Sequence, residues 1–221
     1  MNPIWPTSAV APDPAFIAKA CEWMDTPGEW LLGFVWAGYE ALCQQMPIID
    51  GKDLKRSITQ GLVRRIDQAM TGDEPFYIQH GPFERATMAA PPAQPPAYDM
   101  AFVLQADERV MWPLEAKVLE TPNRLASYVH DVEEQFLTCR YAPFSNSGAM
   151  LGYLLTGATH EVLANIAAKL NCPLTPVDTH STRAHASSCH QRSVPPDKPW
   201  PTEFVCHHLI MDFHGLQRTV V

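Results

Sequence analysis

The sequence predicts an α/β fold, a central mixed β-sheet flanked by helices on both faces. Three observations carry this. Leu54, Ile58, Leu62, Ile66 and Met70 recur every fourth residue, the stripe of an amphipathic helix. From Pro75 the period changes, and Tyr98–Leu104 with Arg109–Leu119 read as two strands joined by a short polar turn, QADE. The chain then runs helix, strand, helix and two closing strands, an order that lays helices across a sheet.

Taken in order, residues 1–13 are rich in proline and small residues and predict an irregular arm. Residues 14–72 are expected to hold the N-terminal helices: Ala15–Met24, with Phe16, Ala20 and Met24 on one stripe; Trp30–Gln45, apolar nearly all round; and Lys52–Met70. Pro27-Gly28 reads as the break between the first two, and Gly72 as the stop of the third. Asp53, at the start of the third, is expected to cap its amides and suits its dipole. Residues 73–221 are the expected α/β core, closed by a C-terminal hairpin, so the whole chain reads as one domain. A strand opens it at Phe76–Ile78 and continues towards Thr87 across Gly81-Pro82. Met88–Ala97, MAAPPAQPPA, lacks too many amide donors to be regular and reads as a loop or flap. Pro122–Arg140 predicts a helix with Leu125, Val129, Val132, Phe136 and Leu137 inward. Ala149–Thr156 predicts a buried strand, His160–Leu170 a helix, and Arg183–His190 with Phe204–Phe213 the hairpin. Five or six strands are expected in the sheet.

Composition narrows the function. With 46% hydrophobic and 18% charged residues the 221-residue chain can build a core. No apolar run approaches the ~20 residues of a membrane span, and MNPIWPTSAVAPDP lacks the basic-then-apolar order of a secretory signal. Six widely spaced cysteines read as reduced thiols, so a cytoplasmic chain is expected. A net charge of −8 argues against a general nucleic-acid coat, while leaving room for an enzyme with a locally basic groove. Phosphate-loop, dinucleotide-binding and GxSxG patterns are absent.

The chemistry lies in Tyr98–Val118. Along the second strand Trp112, Leu114, Ala116 and Val118 take one apolar face, and Glu115 and Lys117 share the other with Met111 and Pro113. Two ionisable groups on an interior-looking strand are costly unless they pair or bind an ion. If the turn is three residues centred on Asp107, positions summing to 214 face each other, and Asp99 lies opposite Glu115, roughly 5 Å away at Cβ. Unpaired carboxylates would repel, and one would hold a proton. A divalent cation removes that penalty, and hard oxygen ligands with open positions suit Mg²⁺ or Mn²⁺. The alternative is an exposed edge hairpin with a solvated Glu115–Lys117 pair.

Asp99, then Glu115-Ala116-Lys117 on the following strand, with a helix after it, resembles the D…(D/E)xK core of the PD-(D/E)XK nuclease superfamily. The resemblance implies a restriction-endonuclease-like three-layer sandwich. It implies a metal held by Asp99, Glu115 and the Ala116 carbonyl, with Lys117 assisting hydrolysis of a phosphodiester in DNA. Gln135, ahead of Arg140-Tyr141, is similar to a glutamine often found on that helix, and Asp53 or Glu40 would be a further acidic ligand from a preceding helix. Tyr98 stands where the family often has proline, and Pro113 interrupts the motif strand. The fold also occurs in restriction, repair and anti-phage defence nucleases, which is analogy alone.

Other candidates surround this set. Lys52, Arg56 and Lys55, within the cluster completed by Arg64 and Arg65, are candidate phosphate contacts. On the terminal hairpin, His190 and Arg192 share a face and Cys206 and His208 another, so these four are candidate groove residues. Six of the nine histidines follow Thr179, but without the knuckle spacing of a zinc site. The acidic balance leads to an expectation of weak intrinsic DNA affinity. Productive binding would then come from self-association or a separate recognition protein, with the six tryptophans available for packing or an interface. The rival class is a non-catalytic nucleic-acid-binding or assembly subunit on the same fold.

Overall fold

The computed structural model describes residues 15, 18, 27–45, 49–84, 95–216, 218 and 219. The arm at 1–13, most of the helix expected at Ala15–Met24 and most of the MAAPPAQPPA segment lie outside them. Helix α1 (Pro27–Gln44) starts at the proline expected to separate two helices. Proline suits a first helical turn, where its missing amide has no partner to lose. A two-residue strand β1 (Ile49–Asp50) pairs in parallel with β9 (Arg218–Thr219). A 3-10 turn (Gly51–Asp53) leads into α2 (Leu54–Ala69). Asp53 occupies the cap position there but makes no side-chain cap hydrogen bond, contrary to expectation.

The main sheet is built from β2 (Phe76–His80), β3 (Met100–Leu104), β4 (Met111–Leu119), β5 (Ser147–Leu154), β6 (Thr175–Pro176), β7 (His185–Gln191) and β8 (Glu203–Asp212). Its seven strands, one more than the upper expectation, run β2-β3-β4-β5-β8-β7-β6. β3 runs antiparallel to both of its neighbours, β2 and β4, and β4, β5 and β8 are parallel. Between β4 and β5 the chain crosses over through α3 (Ala126–Asp131), continued by a π-helical turn (Val132–Phe136). Helix α4 (Thr159–Leu170) follows β5.

Hydrophobic alternation sorts the helices into two layers. Ile58, Leu62 and Ile66 of α2 pack with Leu32 and Val35 of α1 against Met100, Phe102, Leu114 and Leu151. Tyr128, Val132 and Phe136 with Val162 and Ile166 of α4 cover the opposite face at Ala101, Val103, Met150 and Ile210. Helices α1 and α2 touch closely at Gly38, where an added Cβ would sit 2.8 Å from the Ile66 amide nitrogen. Among the described residues no helix is long and apolar enough to cross a membrane.

Candidate active site

The register of one hairpin places the first two residues. Met100 pairs with Leu114, Phe102 with Trp112 and Val103 with Met111, so facing positions sum to 214 as expected, although the turn spans five residues between Leu104 and Val110. One step further, just before β3 begins, Asp99 stands opposite Glu115. The Leu104 amide bonds the Val110 carbonyl at 3.0 Å, so by alternation 102/112 and 100/114 are hydrogen-bonded pairs and 101/113 is not. Pro113 therefore turns its missing donor away from β3, one residue before β4 starts pairing with β5 at Leu114–Ala149, and the motif strand loses nothing there.

The same alternation explains how Asp99 is held. A longer β3 would next have bonded the Ala116 amide. Instead Asp99 Oδ2 accepts that amide at 2.9 Å, and the Asp99 amide donates to Glu115 Oε2 at 3.3 Å. In a strand the amide and carbonyl of one residue face the same neighbour, so the Ala116 carbonyl faces this space too.

Two lysines from different layers meet the carboxyl pair. Lys117 Nζ lies 3.1 Å from Glu115 Oε1 and 2.5 Å from Asp131 Oδ2 at the end of α3. Lys55, from α2 in the opposite layer, reaches past the end of β3. Its Nζ sits 2.7 and 3.0 Å from the two oxygens of Asp99 and 3.8 Å from Glu115 Oε1. The Glu115 side chain is 5% exposed and Asp99 17%, so these are semi-buried charges. Burial, and then the Asp99 charge, push Glu115 well above the usual carboxylate range. Burial alone would raise Asp99 too, but the hydrogen bond it shares with Glu115 and the Lys55 ammonium outweigh that and hold it below its ordinary value. The pair's surroundings thus favour the neutral form of Glu115 over that of Asp99. Burial would depress Lys117, but Glu115 and Asp131 more than compensate, and it stays an ammonium. Two lysines, Lys55 and Lys117, thus meet three carboxyl groups, Asp99, Glu115 and Asp131.

Other sequence candidates fall elsewhere. Gln135 lies in the π-helical turn, where its carbonyl accepts from the Tyr141 amide and its Oε1 is buried without a hydrogen-bond partner. Lys52, Asp53 and Arg56 are exposed at the start of α2. Glu40 is ion-paired with Arg183. Arg192 is buried, and its guanidinium donates to the carbonyls of Phe136, Tyr141, Ala142 and Ser145. With its donors spent on backbone it is a structural clamp, not a phosphate contact. Pairing of Ser188 with Cys206 and Ala186 with His208 puts His190, Arg192, Cys206 and His208 on one face, correcting the expected split. That face is covered: Cys206 and His208 are fully buried, and Ser188 Oγ bridges His208 and His190 at 2.8 and 2.7 Å. Among the described residues no group of three or more His, Cys, Asp or Glu could hold a metal ion.

Sequence reasoning offered Lys55 as a phosphate contact but not as a partner of the carboxyl pair, and missed Asp131 altogether. Lys55 was visible only as one member of a basic cluster. Asp131 carried a fainter signal, since it lies three residues after inward-facing Tyr128 and so borders the buried stripe. No protein-family model, no curated protein and no solved structure matches the chain.

Proposed function

We propose that the chain is a divalent-metal-dependent nuclease on a restriction-endonuclease-like fold, hydrolysing phosphodiester bonds of nucleic acid, DNA foremost. The observation that carries this reading is the convergence of Asp99 and Glu115 across one hairpin, with Lys117 alongside on the same strand. The three-layer arrangement and the helix following the Glu115-Ala116-Lys117 strand agree with it.

The residues fit Mg²⁺ or Mn²⁺. A cation, the Lys55 ammonium, already sits against both oxygens of Asp99 and near Glu115, which marks the space as one that stabilises positive charge. Asp99, Glu115 and the Ala116 carbonyl would hold the metal, leaving positions for water and substrate phosphate, as Mg²⁺ prefers. When bound, the ion supplies Lewis-acid stabilisation of charge developing on the scissile phosphate. Glu115 would bind the ion as its carboxylate. Lys117 presents a fixed positive charge to a phosphate oxygen and can orient the attacking water, and Asp131 keeps that ammonium charged and aimed.

Plasmid cleavage tests the assignment. Wild-type protein with Mg²⁺ or Mn²⁺ should nick or cut DNA, and EDTA or Glu115→Ala should abolish this. Equal cleavage by Glu115→Ala would sink it. One observation favours the rival reading, a non-catalytic assembly subunit: Lys55 and Lys117 already lie at ion-pair distance from the site's carboxyls without a metal. On that reading calorimetry shows no Mn²⁺ binding to the wild type and no change on Asp99→Asn.

A further inference from the structure

Resting on the metal-site reading above, we infer that Lys55 is a built-in competitor of the metal, a positioning residue that holds the carboxyl pair in its absence and must swing aside for it to bind. Three features lead there. The ammonium grips both oxygens of Asp99, at 2.7 and 3.0 Å, and lies 3.8 Å from Glu115 Oε1, so it takes up the negative charge a metal would need. It is supplied by α2, an element distinct from the hairpin that carries the carboxyls, on a side chain 39% exposed. That long flexible stem can move into solvent without disturbing the core beneath it, where Ile58, Leu62 and Ile66 are buried. Lys117 cannot play this part, because Asp131 pins it at 2.5 Å from the other side.

The arrangement has two consequences. The site needs no metal to fold, since Lys55 compensates Asp99. Metal affinity is lowered, because binding must first break the Lys55–Asp99 pair. A displaced Lys55 would remain beside Arg56 at the start of α2, where it could meet a phosphate of the bound strand.

The test is calorimetric titration of Mn²⁺ into the full chain as wild type, Lys55→Met and Asp99→Asn, with Lys55→Gln as a second neutral variant. Methionine and glutamine are both good helix residues on this exposed turn. The expected result is Mn²⁺ binding roughly tenfold or more tighter in the two neutral Lys55 variants than in the wild type, on the scale of one close charge pair removed, and loss of binding in Asp99→Asn. Thermal unfolding supplies the second readout: millimolar Mn²⁺ should raise the Tm of Lys55→Met more than that of the wild type. A wild type too weak to measure beside a binding Lys55→Met would support the inference in its strongest form. Equal or weaker binding by both Lys55 variants, with Asp99→Asn still abolishing it, would overturn the role of Lys55 and leave the metal reading standing. Absence of Mn²⁺ binding in every variant would overturn both.

Discussion

Glu115 carries two opposed demands. Burial and Asp99 push it towards its neutral form, whereas a metal ligand would have to be an anion. Glutamine copies the shape and the charge of that neutral form. Glu115→Gln should therefore unfold within about 1 kcal/mol of the wild type, while metal-dependent cleavage falls to background, as a paired measurement of urea unfolding and plasmid cutting would show. Asp131 differs in that its loss leaves Lys117 semi-buried with only Glu115, itself pushed towards its neutral form, beside it. Asp131→Asn should cost about 1–3 kcal/mol, the usual penalty for a buried charged group that loses its partner. In the double variant with Lys117→Met the two penalties should sum to less than the single values, because no orphaned ammonium remains, and a double-mutant cycle measures the difference.

At the level of elements, β7 and β8 carry an acid-sensitive feature. His185 Nε2 faces His207 Nδ1 at 3.2 Å, and Trp36 Nε1 donates to His185 Nδ1, which assigns the His185 proton to Nε2. His208, buried between Tyr128 and Ser188, completes a set of three neutral rings. Burial, helped by neighbouring histidines, lowers them to about 3 for His185, about 4 for His207 and about 3 for His208. On unfolding they return to the ordinary imidazole value near 6.5. Between these limits the unfolded chain binds protons that the folded chain refuses, so stability is complete above about pH 6.5 and falls as the pH drops towards 4. Each ring contributes up to about 1.4 kcal/mol per pH unit. Glu115, pushed towards its neutral form, acts in the opposite sense, but as one group against three. Urea unfolding at pH 7.5, 6 and 5 should show a falling midpoint, and His208→Gln, if it folds, should flatten the slope. A midpoint that rises towards pH 5 would contradict this.

For the whole molecule, three layers bring α2 and α3 to the same gap from opposite faces, and the gap exists because β3 ends at Met100 while β4 continues to Leu119. The chain carries a net charge of −8 and the two lysines of the site already face carboxyls, so DNA would approach against repulsion with little local attraction. The chain should bind duplex DNA only in the micromolar range or weaker at physiological salt, and should elute above its monomer mass or with a partner; fluorescence anisotropy and light scattering check both. Tight, salt-resistant binding by a strict monomer would refute this.

Much of this was legible in the sequence because it depends on local periodicity. The four-residue stripe of α2 and the two-residue alternation of β3 and β4 follow from backbone geometry, and one hairpin sum then sets Asp99 against Glu115. Helix α1 begins at Pro27, three residues before the expected Trp30, because a proline can open a helix whose first amides have no partner to lose. What only the tertiary structure decided are the partners arriving from other elements. Lys55 is 44 residues from Asp99, and Arg192 finds its four carbonyls 47 to 56 residues away. No periodicity distinguishes an arginine that clamps backbone from one that meets phosphate, or a lysine in solvent from one resting on a carboxyl pair. The sequence by itself determined that the two carboxyls lie on paired strands, and the hairpin register summing to 214 sets them face to face. The tertiary structure decided what neutralises them, because charge compensation in a semi-buried site depends on whichever side chains packing brings within a few ångströms.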